Sequence, residues 1–210
     1  MYMAKARTLS RQDWTAAALR VMGEYGLSGI AVEPLAKSLG ATKGSFYWHF
    51  RDREELITAA LEHWERAGTE AVIATLEPVG DGRARLRQLL EALFITQRQV
   101  PDGTTALKAD AGHKAIDISI ALSADLAHPA VAQVIERVTA RRVAYVAEQL
   151  VDVGIEAEEA HRRALLAYTA YLGYSNLARS APRVLPQGPD AQRFVDSMLR
   201  MLTPDSDPSG

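Results

Sequence analysis

The chain of 210 residues contains no cysteine, so disulfide bridges and thiolate metal sites are excluded. No apolar run is long enough to span a membrane, and the N-terminal segment MYMAKARTL lacks the apolar centre of a signal peptide. These absences predict a cytoplasmic protein without a membrane partner. Aromatic residues make up only 7% of the sequence.

Enzyme motifs are also missing. The sequence has no Gly-rich phosphate loop, no GxSxG elbow and no HExxH motif. No enzyme activity and no cofactor are therefore expected. Asp110, His113 and Asp117 stand at i, i+3 and i+7 and could share one helical face. Three such residues more often meet water than a metal, because a metal site also needs supporting hydrogen bonds, and no metal site is assigned.

The net charge of −2 is unevenly distributed. Residues 1–53 hold eight Lys and Arg residues against four acidic residues, a local charge of +4, and the rest of the chain carries −6. Charges on a surface are screened beyond about 8 Å at physiological salt. The local excess is therefore the relevant one for a polyanionic partner, although ordinary charge scatter could also produce it.

The apolar residues recur at helical spacing, and no strand alternation is convincing. Ser10 and Asp13 form an approximate capping box for a first helix that ends at Gly26. Asp52, with Glu55 in the capping-box position, begins a fourth helix that could run to about residue 76. Further helices are predicted at about 83–100, 111–126, 128–153, 156–180 and 190–202. The expected fold is all-α, with an N-terminal domain at 1–52, a larger helical domain at 53–202 and a disordered tail at 203–210.

The segment Leu35–Arg53, with the sequence LAKSLGATKGSFYWHFRDR, is the most informative part of the chain. A helix that starts near Val32 ends at Gly40, which can adopt a left-handed conformation without steric cost. Thr42 offers a hydroxyl at the N-cap of the next short helix, 43–50. Two short helices joined by a tight turn predict a helix-turn-helix.

The second of these helices contains five consecutive aromatic or histidine residues, 46–50. Phe46 and Phe50 fall on one face and are predicted to be core, whereas Lys43, Tyr47 and His49 project where a DNA backbone could lie. Gly44 lacks a side chain and would allow close approach to a groove. Aromatic clusters are usually core, but consecutive positions span every side of a helix and cannot all face one core.

The run TKGSFYWHFRDREEL resembles the recognition helix of TetR-type transcriptional regulators, together with the start of the helix that follows it. The preceding pattern is similar to that family as well, and the resemblance covers residues 9–61. It implies DNA contacts from seven residues: Thr42, Lys43, Gly44, Tyr47, Trp48, His49 and Arg53. The chain departs from the family at Ile30-Ala31, because members usually place a threonine at the start of this helix.

The resemblance also implies a homodimer, in which the last two long helices pair with their copies. The residues expected at that interface are Leu165, Thr169, Leu172, Gly173, Asn176, Phe194, Met198 and Leu202. An apolar face on a terminal helix must be covered, and packing within one subunit is the alternative. Two-fold helix-turn-helix proteins read paired half-sites about 34–36 Å apart, which favours the dimer.

A pocket for an unidentified small-molecule effector is expected among the remaining helices. Its candidate walls are Trp64, Phe94, Gln97, Ile116, Ile120, Tyr145, Tyr168 and Tyr171. Pockets usually combine apolar and aromatic walls with a few polar groups, although any one of these residues could be ordinary core. The sequence thus predicts a ligand-responsive repressor that binds a palindromic operator. An activator, a ligand-independent DNA binder of the same fold and a helical enzyme carrying a helix-turn-helix remain the alternatives.

Overall fold

The structure is a computed structural model that describes residues 9–95 and 118–203. Over these ranges it is built from helices and contains no strand, which confirms the all-α prediction. The α-helices, numbered here in chain order, are α1 (Arg11–Tyr25), α2 (Val32–Ser38), α3 (Lys43–Tyr47), α4 (Arg53–Glu65), α5 (Ala71–Leu76), α6 (Gly82–Phe94), α7 (Pro129–Asp152), α8 (Ala157–Ser180) and α9 (Pro189–Leu202). Short 3-10 turns lie at Leu27–Gly29, Leu122–Asp125 and Pro182–Val184.

Local capping signals define several helix ends, as predicted. At the start of α1, the Ser10 hydroxyl accepts from Asp13 N and the Asp13 carboxylate accepts from Ser10 N, which completes the capping box. Asp52 caps α4 by accepting from Glu55 N at 2.8 Å. The Glu55 carboxylate accepts from Arg51 N rather than from the cap residue itself.

The chain forms two compact units, and the described part of the first comprises residues 9–66 and 118–134. Its centre is α1 packed on α4. The Trp14 and Phe46 rings meet edge to face, with centroids 5.4 Å apart, and Leu56 and Ile57 of α4 are fully buried. Each Å² of apolar surface that is buried stabilises the folded state by about 25 cal/mol. This small core therefore anchors both short helices of the helix-turn-helix.

A segment distant in sequence completes the first unit. The Asp125 carboxylate accepts from Leu27 N at 2.8 Å, and His128 Nε2 lies 2.8 Å from the Glu54 carboxylate. Gly26 has a φ of 64°, and a Cβ there would lie only 2.6 Å from Asp125 Oδ2. Glycine at this position therefore allows both the left-handed turn and the close approach of the carboxylate.

The helix after Asp52 differs from the prediction in its interior. Helical structure does reach Leu76, but a π-helical turn, Arg66–Glu70, separates α4 from α5. A π-turn inserts one extra residue and leaves backbone carbonyls without their usual partners. In this chain the Arg142 guanidinium donates to Gly68 O and to Thr69 Oγ1, both at 3.0 Å, and so satisfies part of that demand.

The described part of the second unit comprises residues 67–95 and 135–203. Within it α6 packs against α9, α8 and α5. Aromatic rings of three helices meet here: the Phe94 ring lies 4.8 Å from Tyr174 and 5.5 Å from Phe194, measured between centroids. The Tyr174 hydroxyl donates to Phe94 O at 3.0 Å, so the buried phenol has a partner.

Candidate nucleic-acid interface

The helix-turn-helix is formed by α2 and α3, which pack against each other. Gly40 has a φ of 64° and makes the turn after α2. The Thr42 hydroxyl then accepts from Ser45 N at 3.2 Å, which is the N-cap bond expected from the sequence. The helix that follows is shorter than predicted, since it ends at Tyr47 instead of Phe50.

The side chains of α3 and of the residues after it divide between core and surface. Phe46 and Phe50 are buried, as predicted, and their rings stack with centroids 5.4 Å apart. Tyr47 is 53% exposed and Trp48 is 88% exposed. A protein rarely exposes two large aromatic side chains side by side without a use for them, so this face is the candidate for contact with nucleic acid.

Lys43, the first residue of α3, is exposed and forms an ion pair. Its Nζ lies 2.8 Å from the Glu33 carboxylate on α2. The hydrogen bond from Lys43 lowers the pKa of Glu33, and the same bond raises the pKa of Lys43. Sequence reasoning missed this acidic neighbour, because residues ten positions apart on two helices have no spacing rule that joins them.

His49, which follows Trp48 in the sequence, is half-buried. Its backbone carbonyl accepts from the Arg11 guanidinium, which lies over the Phe50 ring at 4.3 Å from the centroid. Arg11 also pairs with Glu55, and Glu55 pairs with Arg51. This network fixes the chain that follows α3 and places Arg11 and Arg51 close to the C-terminal end of that helix.

Arg53 makes contacts within the chain that the family resemblance does not indicate. Its guanidinium donates to Leu27 O at 2.7 Å and to Ile30 O at 2.8 Å, and it also contacts Glu54. Arg53 thus holds the turn that leads into α2, and phosphate contact would have to use its remaining N–H groups. No sequence signal indicates this arrangement, since every residue offers the same carbonyl acceptor.

Ala31 stands at the N-cap of α2, where no side chain caps the helix. This confirms the departure at Ile30-Ala31 that the sequence indicated. The backbone groups of Leu27 and Ile30 are instead held by Arg53, and Leu27 N is held by Asp125. The start of the helix-turn-helix is therefore positioned by α4 and by residues 118–134 in place of a local cap.

The residues predicted for a dimer interface lie on α8 and α9. Leu165, Thr169, Gly173 and Asn176 are exposed on α8, and Leu172, Phe194 and Met198 are half-buried. Leu202 does not fit the expected role, because it is buried inside the subunit together with Ala191, Val195 and Leu199 of α9. Leu166 and Leu177 on α8 are exposed as well, and so is Met201 on α9, which the sequence did not single out.

The residues predicted for a ligand pocket fall in different places. Phe94, Tyr145 and Tyr171 are buried in the second unit, where the Tyr168 hydroxyl lies 3.4 Å from Thr139 Oγ1. The Tyr145 hydroxyl has no hydrogen-bond partner among the described residues. Trp64 is buried and Ile120 is half-buried, both in the first unit. The remaining candidates, Gln97 and Ile116, and the metal candidates Asp110, His113 and Asp117 lie outside the described residues.

None of the helices in the described ranges combines the length and the apolar content that a membrane span requires. The exposed side chains of the first unit include basic and aromatic residues around α3.

Comparison with known proteins agrees with this geometry. Residues 15–60 match the family model described as bacterial regulatory proteins, tetR family. The HTH-type transcriptional regulator AcrR of Shigella flexneri is 34% identical over 87 residues, which are 39% of this chain and 38% of AcrR. The chain thus matches curated relatives over less than half of their length.

The fold as a whole is shared with solved structures. A transcriptional regulator from Rhodococcus sp. Rha1 superposes with a TM-score of 0.67 at 21% identity, covering 92% of this chain and 96% of that one. AibR, solved in complex with isovaleryl coenzyme A and operator DNA, gives a TM-score of 0.61 at 18% identity, covering 92% of this chain and 98% of AibR. Residues 15–60 therefore match the tetR family of bacterial regulatory proteins, and the chain shares its fold with these solved transcriptional regulators.

Proposed function

We propose that this protein is a transcriptional regulator that binds a palindromic operator as a homodimer, represses the adjacent genes and releases the DNA when a small molecule binds. The observation that carries the proposal is the exposed face of α3, where Lys43, Tyr47 and Trp48 stand outside a core closed by Phe46. Lysine supplies phosphate contacts, and exposed aromatic rings supply contacts to sugars and bases.

The DNA contacts proposed are those implied by the sequence: Thr42, Lys43, Gly44, Tyr47, Trp48, His49 and Arg53. Of these, Tyr47 and Trp48 are the large aromatic side chains that are exposed. Gly44 has only Thr42 Oγ1 near its missing Cβ, at 3.7 Å, so an alanine would fit the free protein. A loss of DNA affinity in Gly44→Ala would therefore arise at the DNA surface rather than from the fold.

Tyr47→Ala and Lys43→Ala are each expected to weaken operator binding while the fold persists. Tyr47→Ala should cost about tenfold or more, because a good contact to a base is worth about 1–3 kcal/mol. Lys43→Ala should weaken binding because it leaves the Glu33 carboxylate without its partner near the phosphates. The operator is first obtained by selecting duplexes from a random library with the wild-type protein. Fluorescence anisotropy at fixed salt then gives the affinities. Tyr25→Ala is the matched control, since Tyr25 is an equally exposed tyrosine at the end of α1, beside the Gly26 turn.

Unchanged affinity in both α3 variants would contradict the placement of this helix on DNA. A wild-type protein that selects no duplex from the library would contradict the proposed function itself. Palindromy in the selected sequences, with half-sites about one helical turn apart, is the expected mark of two-fold binding.

A small-molecule effector is proposed for the second unit. Two buried polar atoms there, the Tyr145 hydroxyl and Ser175 Oγ, have no hydrogen-bond partner among the described residues. Buried polar atoms without partners are costly and mark places where a ligand can supply the missing bond. AibR was solved with isovaleryl coenzyme A, so acyl-coenzyme A thioesters are the first compounds to test for release of the operator.

A further inference from the structure

Glu33 places a negative charge on the face proposed to meet DNA. It stands in the first turn of α2, which packs on α3, and its side chain is 71% exposed. The partner cation, Lys43, is 54% exposed, and their charged atoms are 2.8 Å apart. An exposed ion pair of this kind adds little to stability, and a carboxylate in the first turn of a helix adds only a small further contribution, so stability is a weak reason for a carboxylate at this place.

The pair changes what Lys43 offers to DNA. A lysine neutralised by an adjacent carboxylate releases no net counterion when it meets a phosphate, and the carboxylate itself repels the phosphate. Tyr47 and Trp48, on the same face, are uncharged. Their contacts with DNA therefore do not depend on the neutralisation of Lys43. Glu33 therefore weakens the electrostatic part of binding and leaves the contacts of the aromatic side chains in place.

We propose that Glu33 is a specificity-determining residue of this surface, which holds Lys43 and thereby reduces binding to DNA of arbitrary sequence more than binding to the operator. The inference rests on the proposed function. Non-specific binding comes almost entirely from phosphate electrostatics, whereas an operator adds contacts to base edges. When one cation is withheld from phosphate contact, a non-specific complex therefore loses a larger share of its affinity than the operator complex does.

Glu33→Gln tests the proposal, because glutamine keeps the size of the side chain and removes its charge. The full-length variant is expected to bind a shuffled duplex about five- to tenfold more tightly at 0.1 M salt, with a salt slope steeper by about one. Affinity for the duplex selected by the wild type should rise less, so the ratio of the two affinities falls. Both duplexes are measured by anisotropy across a salt series.

Two further variants separate the pair from a general charge effect. Glu24→Gln removes a charge from an exposed site on α1 and should change binding to the shuffled duplex less than Glu33→Gln. In a Lys43→Met background, Glu33→Gln should raise the affinity for the shuffled duplex less than it does in the wild type, because it then relieves only the repulsion between the carboxylate and phosphate. Thermal melting of each variant is expected to stay near that of the wild type, since both acidic side chains are exposed.

Equal effects of Glu33→Gln and Glu24→Gln would overturn the proposal, and so would an equal gain for operator and shuffled duplex. A loss of operator affinity confined to one base pair would show that Glu33 reads a base directly, which also overturns it. If the wild type shows no preference for any DNA sequence, the proposed function itself is refuted. If the wild type prefers its operator and Glu33→Gln leaves that preference unchanged, only the role of Glu33 is refuted.

Discussion

At the scale of single residues, the carboxylate of Glu55 holds the segment that follows α3. Glu55 accepts from Arg51 N, from the Arg51 guanidinium and from the Arg11 guanidinium. The backbone bond from Arg51, followed by the two guanidinium bonds, lowers the pKa of Glu55 from 4.5 to about 2. Arg11 in turn holds the carbonyl of His49, so the charge on Glu55 supports the end of the proposed recognition surface.

The lowered pKa of Glu55 predicts a specific dependence of stability on pH. A depressed carboxyl pKa stabilises the folded state above the ordinary pKa, and that contribution is lost as the pH falls from about 4.5 toward 2. Glu55→Gln should therefore be less stable than the wild type at neutral pH, and the difference should shrink between about pH 5 and pH 2.5. Urea denaturation at each pH measures it, and Glu62→Gln, an exposed site on the same helix, is the control. Parallel curves for wild type and Glu55→Gln would refute the prediction.

At the scale of elements, the link between α4 and α5 is a π-turn held by a side chain from α7. Gly68 and Thr69 are buried, and the Arg142 guanidinium donates to both. Its neighbour Arg141 makes longer contacts, 3.5 Å to Glu70 and 3.7 Å to Glu148. The two adjacent arginines thus have unequal roles at the same turn.

Arg142→Met is expected to destabilise the protein by about 2–3 kcal/mol. Hydrogen bonds from charged donors contribute about 1.5–3 kcal/mol, and the two acceptors in the turn would lose the guanidinium that donates to both of them. Arg141→Met should cost less than about 1 kcal/mol, as exposed ion pairs do. Urea denaturation gives the free energies. Hydrogen exchange at Arg66–Glu70 should quicken in the first variant alone; equal effects in the two variants would refute the role of Arg142.

At the scale of the whole molecule, the open question is what covers α8. Leu165, Leu166 and Leu177 are exposed along this helix, and Met201 is exposed on α9. Apolar side chains that share one helical face are normally buried against a partner surface. The proposed homodimer supplies that partner, and it also supplies the second helix-turn-helix that a palindromic operator requires.

Leu165→Glu is expected to yield a folded monomer that binds the operator far more weakly. The new carboxylate would be desolvated in the interface without a partner, and the two half-sites would no longer be bound by one particle. Sedimentation equilibrium and operator affinity are the measurements. Val151→Glu is the control, because Val151 is similarly exposed on α7. A dimer that survives Leu165→Glu would place the interface elsewhere.

Some features of this protein follow from neighbours along the chain. The caps at Ser10, Thr42 and Asp52 and the glycine turns at Gly26 and Gly40 were all predicted and are all present. These features depend on residues within about four positions, and such short-range hydrogen bonds have sequence signatures. The burial of Phe46 and Phe50 was predicted as well, because helical geometry fixes which positions share a face.

The sequence by itself therefore determined the all-helical fold, the N-caps and glycine turns named above, and the outward placement of Lys43 and Tyr47 on α3. Only the tertiary structure decided that Arg53 would hold the carbonyls of Leu27 and Ile30, and that Asp125 would bind Leu27 N across 98 residues. It also decided the π-turn beside Arg142 and the burial of Leu202 within the subunit. The physical reason is that backbone N–H and C=O groups are the same at every residue, so which of them a distant side chain reaches depends on packing and leaves no pattern in the sequence.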